Sequence, residues 1–104
     1  MSLRRHYRRR FLNRPGNHAG AYAIADIRIY RGRGRSAGNN GIDATLTLSD
    51  CSRIIDLDFN VYDEASARNA LYKADLLRTM VDDFVTAYEK AVAEWREIDD
   101  PSAQ

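Results

Sequence analysis

Residues 42–62 read IDATLTLSDCSRIIDLDFNVY, and the fold class turns on how this stretch alternates. Ile42, Ala44, Leu46 and Leu48 share one parity, and Asp43, Thr45, Thr47 and Ser49 the other. A period of two sets apolar side chains on one face of a strand and polar ones on the other. Asp50-Cys51-Ser52 is rich in turn formers. Beyond it the alternation resumes over 53–62. Ile55, Leu57, Phe59 and Val61 face inward there, and Ile54, Asp56, Asp58, Asn60 and Tyr62 face outward. Strands joined by so short a connection form an antiparallel hairpin.

Working back toward the N-terminus, residues 20–30 (GAYAIADIRIY) make a third strand. One parity is small and apolar (Ala21, Ala23, Ala25, Ile27, Ile29), and the other is mixed (Tyr22, Ile24, Asp26, Arg28, Tyr30). The segment RGRGRSAGNNG, residues 31–41, carries four glycines and two asparagines, the composition of a long connecting loop.

Working forward, Asp63 suits a helix N-cap, and Asp63 and Glu64 suit the positive end of the helix dipole. From there the apolar residues run Ala67, Ala70, Ala74, Leu77, Val81, Phe84, Tyr88, Ala91, Trp95 and Ile98, in alternating steps of three and four. That is a heptad seam, and it predicts a helix over 63–98. Leu71, Met80, Val85 and Val92 widen the stripe, and Asp99-Asp100-Pro101 ends it.

The expected fold is therefore α+β. A three-stranded antiparallel β-meander packs against one long C-terminal α-helix, and a basic N-terminal arm precedes it. The arm covers 1–19, the βββα domain 20–98 and a C-terminal tail 99–104. Such a helix spans about 54 Å and a ten-residue strand only about 33 Å. The overhanging turns carry Phe84, Tyr88, Val92, Trp95 and Ile98. An apolar patch of that kind marks an interface, so the chain is expected to self-associate through this helix.

The arm is the most unusual segment. Residues 3–14 read LRRHYRRRFLNR, with six arginines and no acid. Leu3, Tyr7 and Phe11 recur every four residues, a helical spacing. The sequence reads the arm as a short amphipathic helix or as an extended strip ordered by a partner. Residues 1–35 hold ten arginines against Asp26 alone. Residues 36–104 hold six bases against fourteen acids. The net charge of +1 thus conceals a strong charge asymmetry along the chain.

Arginine forks suit phosphate and carboxylate. Arg4, Arg5, Arg8, Arg9, Arg10 and Arg14, assisted by Arg31, Arg33 and Arg35, are the candidate contacts to a nucleic-acid backbone or an acidic protein surface. Tyr7 and Phe11 are the candidate stacking or docking residues. The row Asp26, Asp43, Asp56 and Asp58 offers these arginines a second destination, on the chain's own sheet.

Element order β–β–β–α resembles that of AP2-type and phage-integrase arm-binding domains, which read DNA with the exposed sheet face. It also resembles, more loosely, that of double-stranded RNA-binding domains, which place lysines at the start of the last helix. In this chain the sheet face carries Asp43, Asp56 and Asp58, and the helix start reads Asp63-Glu64-Ala65-Ser66. Both have the wrong sign for phosphate.

No catalytic constellation emerges, and the chain is read as non-enzymatic, with no cofactor and no metal. His6 and His18 have no Cys or His at ligand spacing. Cys51 lies beside Asp50, which disfavours the thiolate. The glycines of 31–41 lie between strands, the wrong setting for a dinucleotide or phosphate loop. The aspartates of the sheet face have the chemistry to bind a hard cation, but outward polar residues are routine for one-sided sheets. The sequence contains no run of about 18 apolar residues and no secretory h-region. An Arg-rich, acid-poor N-terminus is also the composition of a transit peptide. A lone cysteine sets the expected location in the cytoplasm.

The functional expectation is a small nucleic-acid-binding or nucleic-acid-associated accessory protein. The alternative is a protein–protein interaction or assembly subunit, either part of a larger particle or a phage-type modulator of a host protein.

Overall fold

The computed structural model describes residues 2–17, 20–32, 38 and 40–99, with 2–4 and 99 described by backbone alone. The elements in chain order are β1 (Ser2–Phe11), β2 (Ala21–Tyr30), β3 (Gly41–Asp50), β4 (Arg53–Asp58) and α1 (Glu64–Asp99). The α+β expectation of an antiparallel sheet and one long C-terminal helix is met. The sheet, however, has four strands rather than three, in the order β1-β2-β3-β4.

The additional strand is the expected arm. Residues 2–11 form neither a helix nor a loose strip, but pair with β2 from Ser2↔Tyr30 to Phe11↔Tyr22. The physical reason lies in the spacing. Leu3, Tyr7 and Phe11, four apart, satisfy a helix of period 3.6, and equally a strand of period 2. Backbone pairing to a ten-residue neighbour settles the choice, because it satisfies every second N–H and C=O of the segment.

The connection from β1 to β2 is built by Arg14-Pro15-Gly16-Asn17. The Asn17 N–H donates to the Arg14 carbonyl at 3.0 Å, and Gly16 has φ 92°. Proline at the second position and a left-handed glycine at the third are the requirements of a type II turn. The Leu12 N–H then donates to the Ala21 carbonyl at 2.9 Å, which continues the ladder past β1.

The β3–β4 hairpin closes through Cys51 and Ser52, with Asp50 opposite Arg53. Cys51 adopts φ 58°, a region that few side chains other than Asn and Asp favour. The expected strand over 53–62 divides. β4 ends at Asp58, and pairing returns as a bridge between Ile42 and Val61. Between them, the Asn60 side-chain carbonyl accepts the Ala44 N–H at 2.8 Å, and the Phe59 N–H donates to the Ala44 carbonyl at 2.9 Å. A side-chain amide thus stands in for one backbone acceptor of the ladder.

The chain separates into two compact units, Met1–Leu71 and Tyr72–Gln104. In the first, the wholly buried positions are small. Ala21 is 6% exposed, Ala44 7% and Ser49 3%, and no large side chain among the described residues is fully buried. The start of α1 is fixed by a reciprocal cap, as the sequence predicts for Asp63. The Ser66 N–H donates to Asp63 Oδ1 at 2.7 Å, and the Asp63 N–H donates to Ser66 Oγ at 3.0 Å. The second unit is the remainder of α1. Its apolar stripe is open, with Phe84 65% exposed and Trp95 58%. Phe84 and Tyr88 stack at 5.7 Å between ring centroids. Among the described residues, no helix is long and apolar enough to cross a membrane.

Candidate nucleic-acid interface

The register divides the arginines of β1 between the two faces of the sheet. Arg5, Tyr7, Arg9 and Phe11 lie across from Arg28, Asp26, Ile24 and Tyr22. The same face continues through Asp43, Thr45, Thr47 and Ser49 of β3 to Asp58, Asp56 and Ile54 of β4. His6, Arg8 and Arg10 lie across from Ile27, Ala25 and Ala23 on the opposite face. Beyond β2 that face continues through Ile42, Ala44, Leu46 and Leu48 of β3 to Ile55 and Leu57 of β4.

On the first face the arginines are held within the chain. The Arg5 guanidinium meets Asp26 as a fork, with Nε to Oδ1 and Nη2 to Oδ2 both 3.3 Å. Arg28 Nη2 adds a third bond to Asp26 Oδ2 at 3.4 Å. Arg5 and Arg28 are direct cross-strand neighbours, a like-charge pair that Asp26 neutralises. The hydrogen bond from Arg5 is the main cause that holds the Asp26 carboxyl below its ordinary value, with the charges of Arg5 and Arg28 adding to it. The expected laying of the arginines across the sheet's own aspartates is thus realised at Asp26. Asp56 is engaged by Thr47 instead, whose hydroxyl donates to Oδ1 at 2.7 Å.

The aromatic residues carry the other half of the geometry. Arg5 lies 5.1 Å from the Tyr7 ring centroid. Arg9 lies 5.2 Å from that of Phe11 and 5.6 Å from that of Tyr22. Each contact is worth about 0.5–1 kcal/mol at an exposed site and fixes both partners in place. Tyr7 remains 51% exposed and Phe11 57%. Tyr22 is a member of this cluster that sequence reasoning did not single out. Its only signal is the register, since it sits opposite Phe11 once β1 is known to be a strand.

Arg8, Arg10, Arg14 and Arg31 are exposed and make no ion pair among the described residues. Arg8 and Arg10 oppose alanines, which are too short to shield a guanidinium. The backbone of Arg4 follows β1 opposite Ile29. Arg33 and Arg35 lie outside the described residues, as does His18. β1 is thus an edge strand with ordered arginine–aromatic stacks on one face and arginines without ion pairs on the other. The expected interface residues Phe84, Tyr88, Trp95 and Ile98 are exposed on α1, and Val92 is partly covered.

Among the described residues, no group of three His, Cys, Asp or Glu side chains is placed to hold a metal ion. Cys51 is exposed at its turn. No family model matches the chain, and neither the curated proteins nor the solved structures hold a match to it.

Proposed function

We propose that this chain is a small non-enzymatic accessory protein that binds single-stranded nucleic acid along the β1 edge of its sheet. The observation that carries the reading is the exposed alternation Arg5-His6-Tyr7-Arg8-Arg9-Arg10-Phe11 on an edge strand. Flat rings accept bases by stacking without regard to sequence, and arginines beside them neutralise the phosphates that follow. Tyr7 and Phe11 stand two strand positions on either side of Arg9. Their spacing is about 13 Å at 3.3 Å per residue, a distance that a flexible single strand spans readily. The acidic half of the face, with Asp43, Asp56 and Asp58, disfavours a duplex laid across the whole sheet and confines binding to the β1 edge.

The test is fluorescence anisotropy with labelled oligothymidylate and with a duplex of equal length. Tyr7→Ala with Phe11→Ala is expected to weaken single-strand binding by about thirtyfold or more, at about 1–3 kcal/mol for each of two stacked bases. Affinity that ignores salt, or that survives the loss of both rings, refutes the reading.

A second reading has its own observation. The apolar stripe of α1 is open to solvent, which favours an assembly subunit that oligomerises through this helix or docks on a protein partner. Protein purified at low salt separates the two. Co-purified nucleic acid, seen in the ratio of absorbance at 260 and 280 nm, supports the first reading. A nucleic-acid-free oligomer that gives no anisotropy change supports the second.

A further inference from the structure

We infer that the open face of α1 is covered by a second copy of this chain, packed antiparallel along the helix with Val81 and Phe84 at the two-fold axis. The inference does not depend on nucleic-acid binding.

Side-chain size is the first ground. The seam begins with Ala67, Ala70 and Ala74 and ends with Tyr88, Trp95 and Ile98. A parallel, in-register pair sets alanine on alanine at one end and Trp95 on the partner's Trp95 at the other, which leaves voids and clashes along one interface. An antiparallel pair with Val81 against the partner's Phe84 gives a different set of layers. Leu77 meets the partner's Tyr88, Ala74 the partner's Ala91, Ala70 the partner's Trp95, and Ala67 the partner's Ile98. Four of these five layers join a smaller side chain to a larger one, as interdigitated packing requires, and alanine meets alanine only in the Ala74 layer.

Charge is the second ground, and it selects the same orientation. Lys73 and Glu94 flank the seam in equivalent heptad positions. In the antiparallel register each Lys73 lies beside the partner's Glu94, twice per dimer. Met80 then lies beside the partner's Ala87, and Leu71 beside the partner's Val92. In the parallel pair Lys73 lies beside the partner's Arg78 instead, a like-charge contact.

Area is the third ground. Phe84, Tyr88 and Trp95 are each about three-fifths exposed. At about 200 Å² per ring, six rings supply roughly 700 Å². Leu71, Met80, Val81, Val85 and Ile98, also exposed, carry the total past the roughly 1,000 Å² that a specific interface needs.

The experiment uses the full chain with Cys51→Ser, freed of nucleic acid by high salt. Sedimentation is expected to show a dimer. Lys73→Glu is expected to raise its dissociation constant about tenfold, and Glu94→Lys to do the same. Lys73→Glu combined with Glu94→Lys is expected to restore it. A nitroxide on Asn69→Cys lies level with the partner's Arg96. The two labels should therefore stand about 40 Å apart, at 1.5 Å of rise per residue, and a parallel pair holds them within about 25 Å. Three results each overturn the inference. They are a chain still monomeric at about 100 µM, a short label distance, and tighter association of Lys73→Glu. Because no nucleic acid is present, each of these leaves the binding reading untouched.

Discussion

Replacing Asp26 with asparagine removes an acid from the most basic part of the molecule and keeps the shape of the side chain. Asp26 holds Arg5 through two 3.3 Å bonds and Arg28 through one of 3.4 Å. The asparagine retains one acceptor oxygen and no charge, so both guanidinium groups become available to phosphate. In the parent chain four of the described candidate contacts, Arg8, Arg10, Arg14 and Arg31, have neither an ion pair nor a ring contact. For single strands each phosphate neutralised contributes about −0.7 to the slope of log K against log salt, so the parent slope is expected near −3. With Arg5 and Arg28 added it should steepen to about −4. At 0.1 M salt each added contact raises affinity about fivefold, and two raise it by up to about 25-fold. The assay is anisotropy of labelled oligothymidylate across a salt series, with circular dichroism to confirm that the sheet is retained. Arg5→Gln with Arg28→Gln in the Asp26→Asn background should return the slope to the parent value. A folded Asp26→Asn chain whose slope and affinity match the parent refutes the idea that Asp26 competes with phosphate for these arginines.

Two further predictions concern the fold itself. Gly41→Ala places a Cβ 2.5 Å from the Val61 carbonyl oxygen and against the ring of Tyr30. That carbonyl is backbone and already accepts the Ile42 N–H, so the strand must shift. Urea unfolding is expected to show a loss of about 1–3 kcal/mol, and an unchanged midpoint would contradict the packing described at Gly41. The carboxyls of Asp26 and Asp63 are both held below their ordinary value of 3.8, Asp26 chiefly by Arg5 and Asp63 by the amide and hydroxyl of Ser66. A lowered folded-state pKa stabilises fully above the ordinary value and fades as the pH falls below it. Thermal unfolding should therefore lose stability below about pH 3.8, and Asp26→Asn with Asp63→Asn should flatten that acid limb. An identical acid limb in the double variant would dismiss both groups as its source.

The elements built on one consistent period were legible in the sequence. The clean alternation over 42–49, its continuation through Leu57, and the heptad steps from Ala67 to Ile98 each admit one reading, and β3, β4 and α1 follow them. Asp63 could be named as the cap because acceptor side chains there have a definite task at the first free N–H groups. β1 was hidden because a spacing of four is two full strand periods and also close to one helical turn, and because five arginines mask the alternation that a half-buried strand normally shows. Its pairing depends on β2, and no local pattern encodes a partner. The Asn60 carbonyl in the ladder was equally out of reach, since it depends on where Ala44 lies across the hairpin. Of the site, the residue types were legible and their division between faces was not. Parity assigns Arg5 and Arg9 to the rings and Arg8 and Arg10 to the open side only once residues 2–11 are known to be extended.

A simple meander lays the chain out across space in the order in which it is written. Because β1, β2, β3 and β4 are neighbours in sequence order, the charge gradient along the chain becomes a gradient across the sheet. β1 carries five arginines and no acid, β2 is balanced, and β3 and β4 are net negative. The two edges stand about 14 Å apart, at three strand spacings of about 4.8 Å. The sheet is therefore an electric dipole in the plane of its own strands, perpendicular to them. Near a polyanion it experiences a torque before it makes contact, so collisions arrive with β1 leading and the acidic edge turned away. The effect reaches about 10 Å at 0.1 M salt and is shorter in stronger brine. The order of the hairpins thus gives the sheet its own contribution to orientation on approach, one that acts before contact.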